Sequence, residues 1–271
     1  MSVRLFEGKE HALYYWKYRI SPSEEIINKI LNFLEKHRSR PFDLAVDVGC
    51  GTGQGTVLLG PYFSKVVGTD VSPAQLEMAL QHSIAQNITY RECPAEQLPL
   101  ENGKVDLVTS MSAFHWFDHP RFLKEVDRIL KPQGCLALLN YTMDMELSYG
   151  DCSEALNQIC KELYAALLPH RNPYLGASSL DLYKKTYGAL EYPTKEWHEN
   201  LWVRKSIPLS SYIGMMESFS NYQALLRKDP EKARKLSQDI TERLLKAIGV
   251  TSPDVEVVLS VRYYCLLACK P

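Results

Sequence analysis

The chain has 271 residues, 45% of them apolar, and its 31 basic side chains nearly balance its 32 acidic ones. That length allows a sizeable core. Proteins that bind nucleic acid or an anionic membrane surface usually have a concentrated basic face, and the balanced charge of this chain makes such a partner a weak candidate. Seven cysteines, scattered without CxxC or His-rich spacing, argue against a disulfide framework and against a metal site. We therefore expect one large globular domain, or one domain plus an elaboration, and no bound metal.

The N-terminal segment MSVRLFEGKEHALYYWKYR carries charges every few residues and lacks the apolar core of a signal peptide. No later stretch reaches the roughly 18 apolar residues of a membrane-spanning helix. The sequence predicts a cytoplasmic protein without a membrane span, and nothing in it sets the oligomeric state.

Several segments before residue 145 carry helix signals. Residues 21–38 (SPSEEIINKILNFLEKHR) open with a capping box in which Ser21 is the cap, and their apolar residues recur at helical spacing. Ser72 repeats that start signal ahead of AQLEMALQHS, and another helix, PRFLKEVDRIL, ends at Pro132. A short helix is also expected at 54–60, after a glycine-rich stretch.

Short apolar runs alternate with those helices. The runs expected to be strands are LAVDVG, KVVGTD, ITYREC, VDLVTSMSA and CLALLNYT, at residues 44–49, 65–70, 88–93, 105–113 and 135–142. Two further strands are expected near 197–208 and in the final stretch VVLSVRYYCLLACK, the last antiparallel at an edge or inserted beside one. This alternation predicts an α/β fold, a doubly wound, seven-stranded, mostly parallel sheet, with its ligand at the carboxyl ends of the strands.

Residues 44–56 (LAVDVGCGTGQGT) place a glycine at every second position from Gly49 to Gly55, directly after a strand. Glycine permits a tight turn close to a ligand, but this spacing is neither the G-x-G-x-x-G of dinucleotide sites nor a Walker loop. Asp47, just before the turn, would repel a pyrophosphate, and Asp70 is placed to accept hydrogen bonds from a ribose. These features favour S-adenosylmethionine, a nucleoside with a positive charge, over NAD.

Four blocks carry a resemblance to a known family. VDVGCGTGQGT, GTDVSPAQLEMA, AEQLPLENGKVDLVTSMSAFHWFD and FLKEVDRILKPQG occur in the order and spacing of the class I S-adenosylmethionine-dependent methyltransferases. From about Tyr15 to Tyr141 the chain resembles the small-molecule group, which includes ubiquinone-biosynthesis and trans-aconitate methyltransferases. The resemblance implies S-adenosylmethionine as the cofactor and a substrate site in the less similar C-terminal part.

The resemblance also implies which residues bind the cofactor. They are Tyr15, Arg19, Asp47, Gly49, Cys50, Gly51, Gly53, Asp70, Val71, Ala95, Glu96 and Ser110. In the family's arrangement, the glycines lie under the methionine moiety, Asp47 orients its amino end and Asp70 binds the ribose. Tyr15 and Arg19 reach the cofactor carboxylate, and Ser110 lies beside the sulfonium. In a second interpretation, Tyr15 and Arg19 are surface residues that cover the edge of the core.

His115, in SAFHWFDHP after the fourth predicted strand, is the candidate catalytic residue. It is either a general base or a side chain that packs and shapes the pocket. Arg171, Arg204 and Arg262 are candidates for holding an anionic acceptor, although most arginines lie on protein surfaces. The lack of an obvious base favours a carboxylate or thiolate acceptor over alcohols and carbon acids.

These observations predict three parts of the chain. They are a cofactor-binding α/β core with an N-terminal helix (1–145), a largely helical substrate roof with a strand near 197–208 (146–249), and terminal strands that complete the sheet (250–271). The expected function is S-adenosylmethionine-dependent methyl transfer to a small-molecule acceptor, with a carboxylate as one candidate. The alternatives are a non-catalytic S-adenosylmethionine-binding or scaffold module, a protein or RNA methyltransferase, and a nicotinamide-dependent oxidoreductase.

Overall fold

The computed structural model describes residues 8–175 and 178–271, with the backbone alone at Leu175. Within them the strands are β1 (Phe42–Val48), β2 (Phe63–Asp70), β3 (Ile88–Glu92), β4 (Val105–Met111), β5 (Leu130–Tyr141), β6 (Glu146–Ser148), β7 (Thr194–Pro208) and β8 (Glu256–Cys269). The helices are α1 (Lys9–Tyr18), α2 (Glu24–Glu35), α3 (Thr56–Leu59), α4 (Pro73–His82), α5 (His119–Ile129), α6 (Ser153–Leu167), α7 (Ser179–Ala189), α8 (Leu209–Glu217), α9 (Ser220–Lys228) and α10 (Pro230–Ile248). None of these described helices has both the length and the apolar character that a bilayer span requires.

The strands form one sheet in the order β3-β2-β1-β4-β5-β8, with β7 on the far side of β8. β6 pairs with β8 just beyond the end of β5, so these two strands share one position and the sheet is seven positions wide. β1 to β5 pair in parallel, whereas β8 runs antiparallel to β5, β6 and β7. The predicted α/β fold with a seven-stranded, mostly parallel sheet is confirmed. β6 is the strand that the sequence pattern did not predict.

Apolar side chains cover both faces of the sheet, because successive residues of a strand point to opposite sides. In β5, Cys135, Ala137 and Leu139 join the cluster on one face, and Leu136 and Leu138 join the cluster on the other. The first cluster includes residues of α2, α6, α8, α9 and α10, and the second includes residues of α5 and α7. The middle strands are therefore buried on both faces of the sheet. A ligand can reach these strands only at their ends.

Side-chain caps set the starts of two helices, α2 and α4. α2 begins two residues later than predicted, because the hydroxyl of Ser23, and not that of Ser21, accepts from the Ile26 N–H. Ser72 accepts from the N–H of Gln75 and starts α4, as predicted. The first turn of α4 therefore lies directly after β2, at the edge of the sheet where ligands bind to parallel strands.

Asp106 joins three strands near the opposite edge of the sheet. Its Oδ1 accepts from Arg38 at 2.8 Å and from Lys131 at 2.9 Å, and its Oδ2 accepts from the backbone N–H groups of Asp43 and Leu44. Burial by itself would raise the pKa of Asp106, but the hydrogen bonds from Lys131 and from the backbone lower it below its ordinary value. The carboxylate therefore stabilises the fold in its charged form.

Asp106→Asn should lower the free energy of unfolding by about 2 kcal/mol at neutral pH, because it removes the charge that these donors share. Since the pKa of Asp106 is lowered in the folded state, its stabilisation is present above the unfolded pKa and is lost as the pH falls below about 4. Urea unfolding at neutral pH and near pH 3 measures both effects. Asp43→Asn, whose carboxylate is 72% exposed, is the control and should cost less than about 0.5 kcal/mol. A difference between wild type and Asp106→Asn that stays constant with pH contradicts this prediction.

Candidate functional site

The loop between β1 and α3 is hydrogen-bonded to the end of β2. The N–H groups of Gly49 and Cys50 donate to the carbonyl of Thr69 at 2.8 and 2.9 Å. The N–H of Gly51 donates to Oδ2 of Asp70 at 2.9 Å. These hydrogen bonds fix the conformation of the loop along the carboxyl edge of the sheet.

Gly49 and Gly51 are required by the shape of this loop. Their φ angles of +70° and +54° lie in the left-handed region that residues with a Cβ avoid. A Cβ on Gly49 would collide with the Cβ of Ala113, and one on Gly51 would come within 3.4 Å of the Gln75 side-chain oxygen and 3.6 Å of the Tyr15 ring. The glycines therefore let the main chain turn and keep the space in front of it open.

That space is a cavity, which we call the glycine-loop cavity. Its lining residues are Tyr15, Gly49, Gly51, Asp70, Val71, Gln75, Cys93, Ala95, Glu96, Ser112, Ala113, Trp116 and Phe117. Among these described residues Asp70 and Glu96 are acidic, and none is Lys or Arg. The lining therefore suits a ligand with positive charge and opposes a pyrophosphate.

Two polar residues that line the glycine-loop cavity, Asp70 and Gln75, belong to β2 and α4. Asp70 accepts at 2.9 Å from the N–H groups of Gly51 and Ser72, one on each oxygen, so its carboxylate is fixed beside the loop. Gln75 is 2% exposed, and within residues 8–175 and 178–271 neither atom of its amide has a hydrogen-bond partner. Because an unpaired buried amide is costly, Gln75 indicates that a polar ligand belongs in this cavity.

A second cavity, of about 360 Å³, lies against the first and shares Tyr15, Ser112 and Trp116 with it. We call it the arginine cavity, because Arg19 and Arg171 line it and no Asp or Glu of the described residues does. Its volume is within the ~300–1,000 Å³ of small-molecule sites. The other lining residues are His115, Asn140, Tyr141, Thr142, Met143, Tyr164, Leu168, Ser178, Ser179, Leu180, Phe219, Ser220, Asn221 and Tyr264.

Arg19, directly after α1, is fixed in the wall of the arginine cavity. Its Nε donates to Oγ of Ser218 at 2.9 Å, and its Nη1 donates to the hydroxyl of Tyr141. The guanidinium lies over the rings of Tyr15 and Phe219, 4.6 and 4.9 Å from their centroids. Arg19 thus joins α1 to the end of β5 and to the turn between α8 and α9, and it places a permanent positive charge at the cavity.

His115 lies in a 3-10 turn (Phe114–Trp116) after β4 and also lines the arginine cavity. Its Nδ1 is 3.3 Å from the side-chain nitrogen of Asn140, which also donates to the Tyr264 hydroxyl at 3.0 Å. Burial, followed by the charges of Arg171 and Arg19, lowers the pKa of His115 to about 3. The imidazole is therefore neutral at physiological pH and a weak base.

Residues 46–138 match the family model of a methyltransferase domain. A Dictyostelium discoideum protein named as a methyltransferase is 29% identical over 249 residues, which cover 90% of this chain and 88% of its own length. A Saccharomyces cerevisiae protein named as an S-adenosylmethionine-dependent methyltransferase is 28% identical over 250 residues, which cover 82% of each chain. The chain is a class I S-adenosylmethionine-dependent methyltransferase.

A solved structure from Anaeromyxobacter dehalogenans, described as a type II methyltransferase, has the same fold as this methyltransferase. The TM-score is 0.68 at 22% identity, over 99% of this chain and 98% of that one. The cofactor of the enzyme is S-adenosylmethionine, and the charge and polar groups of the glycine-loop cavity suit it. The acidic lining matches the charge of a sulfonium, and the buried amide of Gln75 offers hydrogen bonds to a nucleoside.

Several of the predicted cofactor residues come together at the glycine-loop cavity. They are Tyr15, Gly49, Gly51, Asp70, Val71, Ala95 and Glu96. Arg19 lines the arginine cavity instead, and Cys50 and Gly53 line neither cavity. The fold still requires a glycine at position 53, because a Cβ there would collide with the Tyr90 hydroxyl. Direct contact of each residue with the cofactor stays a prediction.

Asp47 and Ser110, which the resemblance also assigned to the cofactor site, line neither cavity. The Asp47 carboxylate accepts from the hydroxyls of Thr56 and Thr109 at 2.7 and 2.8 Å, so it faces the core and does not line the cavity. Ser110 is fully buried in β4 and lines neither cavity. Ser112, whose φ of +65° turns the chain after β4, lines both cavities.

Sequence reasoning missed Gln75, Ser112 and Asn140 as site residues. The pattern assigned Gln75 to a helix start, but a first-turn residue after β2 also faces the carboxyl edge of the sheet, and this position could have identified it. Ser112 and Asn140 likewise stand at the ends of β4 and β5. Arg204 and Arg262, in contrast, line neither cavity.

Gly49→Ala should weaken the binding of S-adenosylhomocysteine about tenfold to a hundredfold, because its Cβ would push into Ala113, and overpacking costs ~1–3 kcal/mol. Isothermal titration calorimetry measures the affinity. Gly103→Ala is the matched control: Gly103 also has a positive φ, +62°, but open space around its Cβ position. It should lose about 1 kcal/mol of stability and keep its affinity. Equal affinity in the two variants would contradict the prediction.

Asp47→Asn should make the enzyme more stable relative to wild type as the pH rises. Burial raises the pKa of Asp47 from 3.8 to about 6, although the hydroxyls of Thr56 and Thr109 act in the opposite direction. The stability that this raised pKa contributes is present below the unfolded pKa and is lost as the pH rises through about 6. Urea unfolding between about pH 4 and pH 7.5 measures the change. Asp151→Asn, at an exposed position, should show no such trend; if both variants behave alike, the pKa of Asp47 is not raised.

Proposed function

We propose that the enzyme transfers the methyl group of S-adenosylmethionine to a carboxylate of a small molecule bound in the arginine cavity. The charge of that cavity carries the proposal, because Arg19 and Arg171 line it and no acidic side chain among the described residues does. The planar guanidinium binds a carboxylate through paired hydrogen bonds. A cationic amine acceptor would need the opposite charge in the lining.

The glycine-loop cavity would hold the cofactor next to this acceptor. Gly49 and Gly51 leave the space open, and Asp70 and Gln75 offer hydrogen-bonding groups to the nucleoside. When bound, S-adenosylmethionine supplies a methyl carbon on a positively charged sulfur that is already an activated leaving group. The two cavities meet at their shared residues, so the fold can bring the acceptor and the donor side by side.

A carboxylate acceptor needs no general base, since its oxygen already carries the electron pair that forms the new bond. The titratable side chains of the arginine cavity agree with this requirement. Burial lowers the pKa of His115 to about 3 and raises the pKa values of Tyr164 and Tyr264 well above their usual range. None of these three groups can exchange a proton efficiently near neutral pH, as an alcohol or carbon acid would require.

α1 closes the cavities on one side, because its Tyr15 is part of both walls. The helix is held from two directions: His11 hydrogen-bonds the carbonyl of Ser218 at 2.9 Å, and the Gln54 amide donates to the carbonyl of Trp16 at 2.7 Å. In this position α1 would exclude water from the boundary between the cavities. Water exclusion strengthens the charge interactions there and limits loss of the methyl group to solvent.

Enzyme incubated with methyl-labelled S-adenosylmethionine and a panel of carboxylic acids, each beside its amide and its alcohol, should label the acids alone. The expected product is a methyl ester, which alkali converts to volatile labelled methanol, so the volatile label identifies the acceptor atom. Label that resists alkali, on nitrogen or on a hydroxyl, would overturn the carboxylate proposal.

Arg171→Gln should raise the KM for such an acid about tenfold or more, because a charge-assisted hydrogen bond is lost. The affinity for S-adenosylhomocysteine should stay within about twofold of wild type, since Arg171 does not line the glycine-loop cavity. Arg204→Gln, at an exposed position of β7, is the matched control and should leave the KM unchanged. The same KM in both variants would remove Arg171 from the acceptor site.

A further inference from the structure

The imidazole of His115 is held in one orientation by the sheet beneath it. Asn140, the residue before the last one of β5, is opposite Tyr264 of β8 in the antiparallel register. The side-chain nitrogen of Asn140 donates to the Tyr264 hydroxyl and approaches Nδ1 of His115. Asn140 and Tyr264 are both buried, so the hydrogen bonds start from a rigid part of the fold.

An amide nitrogen only donates, so its contact with Nδ1 favours the neutral tautomer of His115 that carries its proton on Nε2. Since the ring lines the arginine cavity, Nε2 is the nitrogen left for a ligand there. We infer that His115 donates a hydrogen bond from Nε2–H to an oxygen of the methyl acceptor, and that Asn140 is the positioning residue that sets this tautomer. The inference rests on the proposed function, because it takes the arginine cavity as the acceptor site.

The charged groups around His115 oppose its protonation. Burial has the largest effect on its pKa, and Arg171, Arg19 and His119 each lower that pKa further. No acidic side chain of the described lining offsets them. His115 can therefore donate a hydrogen bond at physiological pH without carrying a positive charge.

A neutral donor suits an acceptor that loses its charge during the reaction. As a carboxylate becomes an ester its negative charge disappears, so an imidazolium would stabilise the substrate more than the transition state. A neutral N–H avoids most of that penalty and still orients the carboxylate toward the glycine-loop cavity. This role differs from that of a general base, which takes a proton, and from packing, in which the tautomer has no importance.

Long-range proton–nitrogen NMR of the full ¹⁵N-labelled chain with S-adenosylhomocysteine reports the tautomer of His115. His115→Gln identifies the signal by its loss, and His198→Gln, on β7 and outside both cavity linings, is the matched control. The expected result is a single neutral Nε2–H tautomer from about pH 5.5 to about pH 9. A proton on Nδ1, or a ring that titrates in this range, would overturn the inference.

Asn140→Asp tests the positioning role. A carboxylate only accepts hydrogen bonds, so this variant should move the proton of His115 to Nδ1 and raise the pKa of the ring. Asn140→Ala removes the donor without adding a charge and should leave a mixture of both tautomers. If both variants keep the wild-type Nε2–H tautomer, Asn140 does not set it.

Benzoate, an aromatic carboxylate, serves as the acceptor probe. It should shift the Nε2–H signal of His115 and the Nε–H signal of Arg171 with one midpoint concentration. His115→Leu should weaken benzoate about tenfold, and His115→Gln, which keeps a donor, should recover most of that loss. A shift of Arg171 alone would overturn the donor role and leave the proposed function intact. A shift of neither signal would count against the carboxylate acceptor and the inference together.

Discussion

The hydrogen bond from the Gly51 N–H to the Asp70 carboxylate is the contact on which the site depends. It joins the loop after β1 to the end of β2, and the left-handed φ angles of Gly49 and Gly51 allow the loop to reach it. Because Asp70 also lines the glycine-loop cavity, one carboxylate both fixes the loop and faces the ligand space. A polar side chain at the end of β2 thus has a structural role and also forms part of the cavity wall.

The sequence predicts an element correctly where that element is determined by residues close to it in the chain. The apolar runs of β1 to β5, the Ser72 cap and the glycine turn each depend on neighbours within a few residues, and the structure has them as predicted. The sequence pattern does not predict where the side chains of Asp47 and Ser110 lie. Asp47 faces the core because Thr56 and Thr109 lie there to donate to it, and Thr109 belongs to another strand. Ser110 is buried in β4 and lines neither cavity, whereas Ser112, with a left-handed φ that no sequence rule predicts, lines both.

The arginine cavity is harder to predict than the glycine-loop cavity, because seven separate segments build it. Lining residues come from α1, the turn after β4, the end of β5, the end of α6 with the turn after it, the start of α7, the turn between α8 and α9, and β8. Arg19 connects several of them, since it contacts Tyr15, Tyr141 and Ser218. Neither its neighbours in sequence nor the glycine motif indicates those contacts. The sheet and its glycine loop can thus be predicted from short sequence segments. The arginine cavity cannot, because it depends on how helices that are distant in the sequence pack over the sheet.

The distribution of charge also has a consequence for turnover. The acidic lining lies on the side of the glycine-loop cavity, and the arginines lie on the other side of a shared wall. In the proposed reaction a sulfonium and a carboxylate give a neutral thioether and a neutral ester, so each partner loses the charge that its cavity attracts. Both cavities therefore bind their substrates more strongly than their products through electrostatics. A neutral His115 is consistent with this arrangement, because a further positive charge would strengthen acceptor binding without assisting the step in which the negative charge is lost.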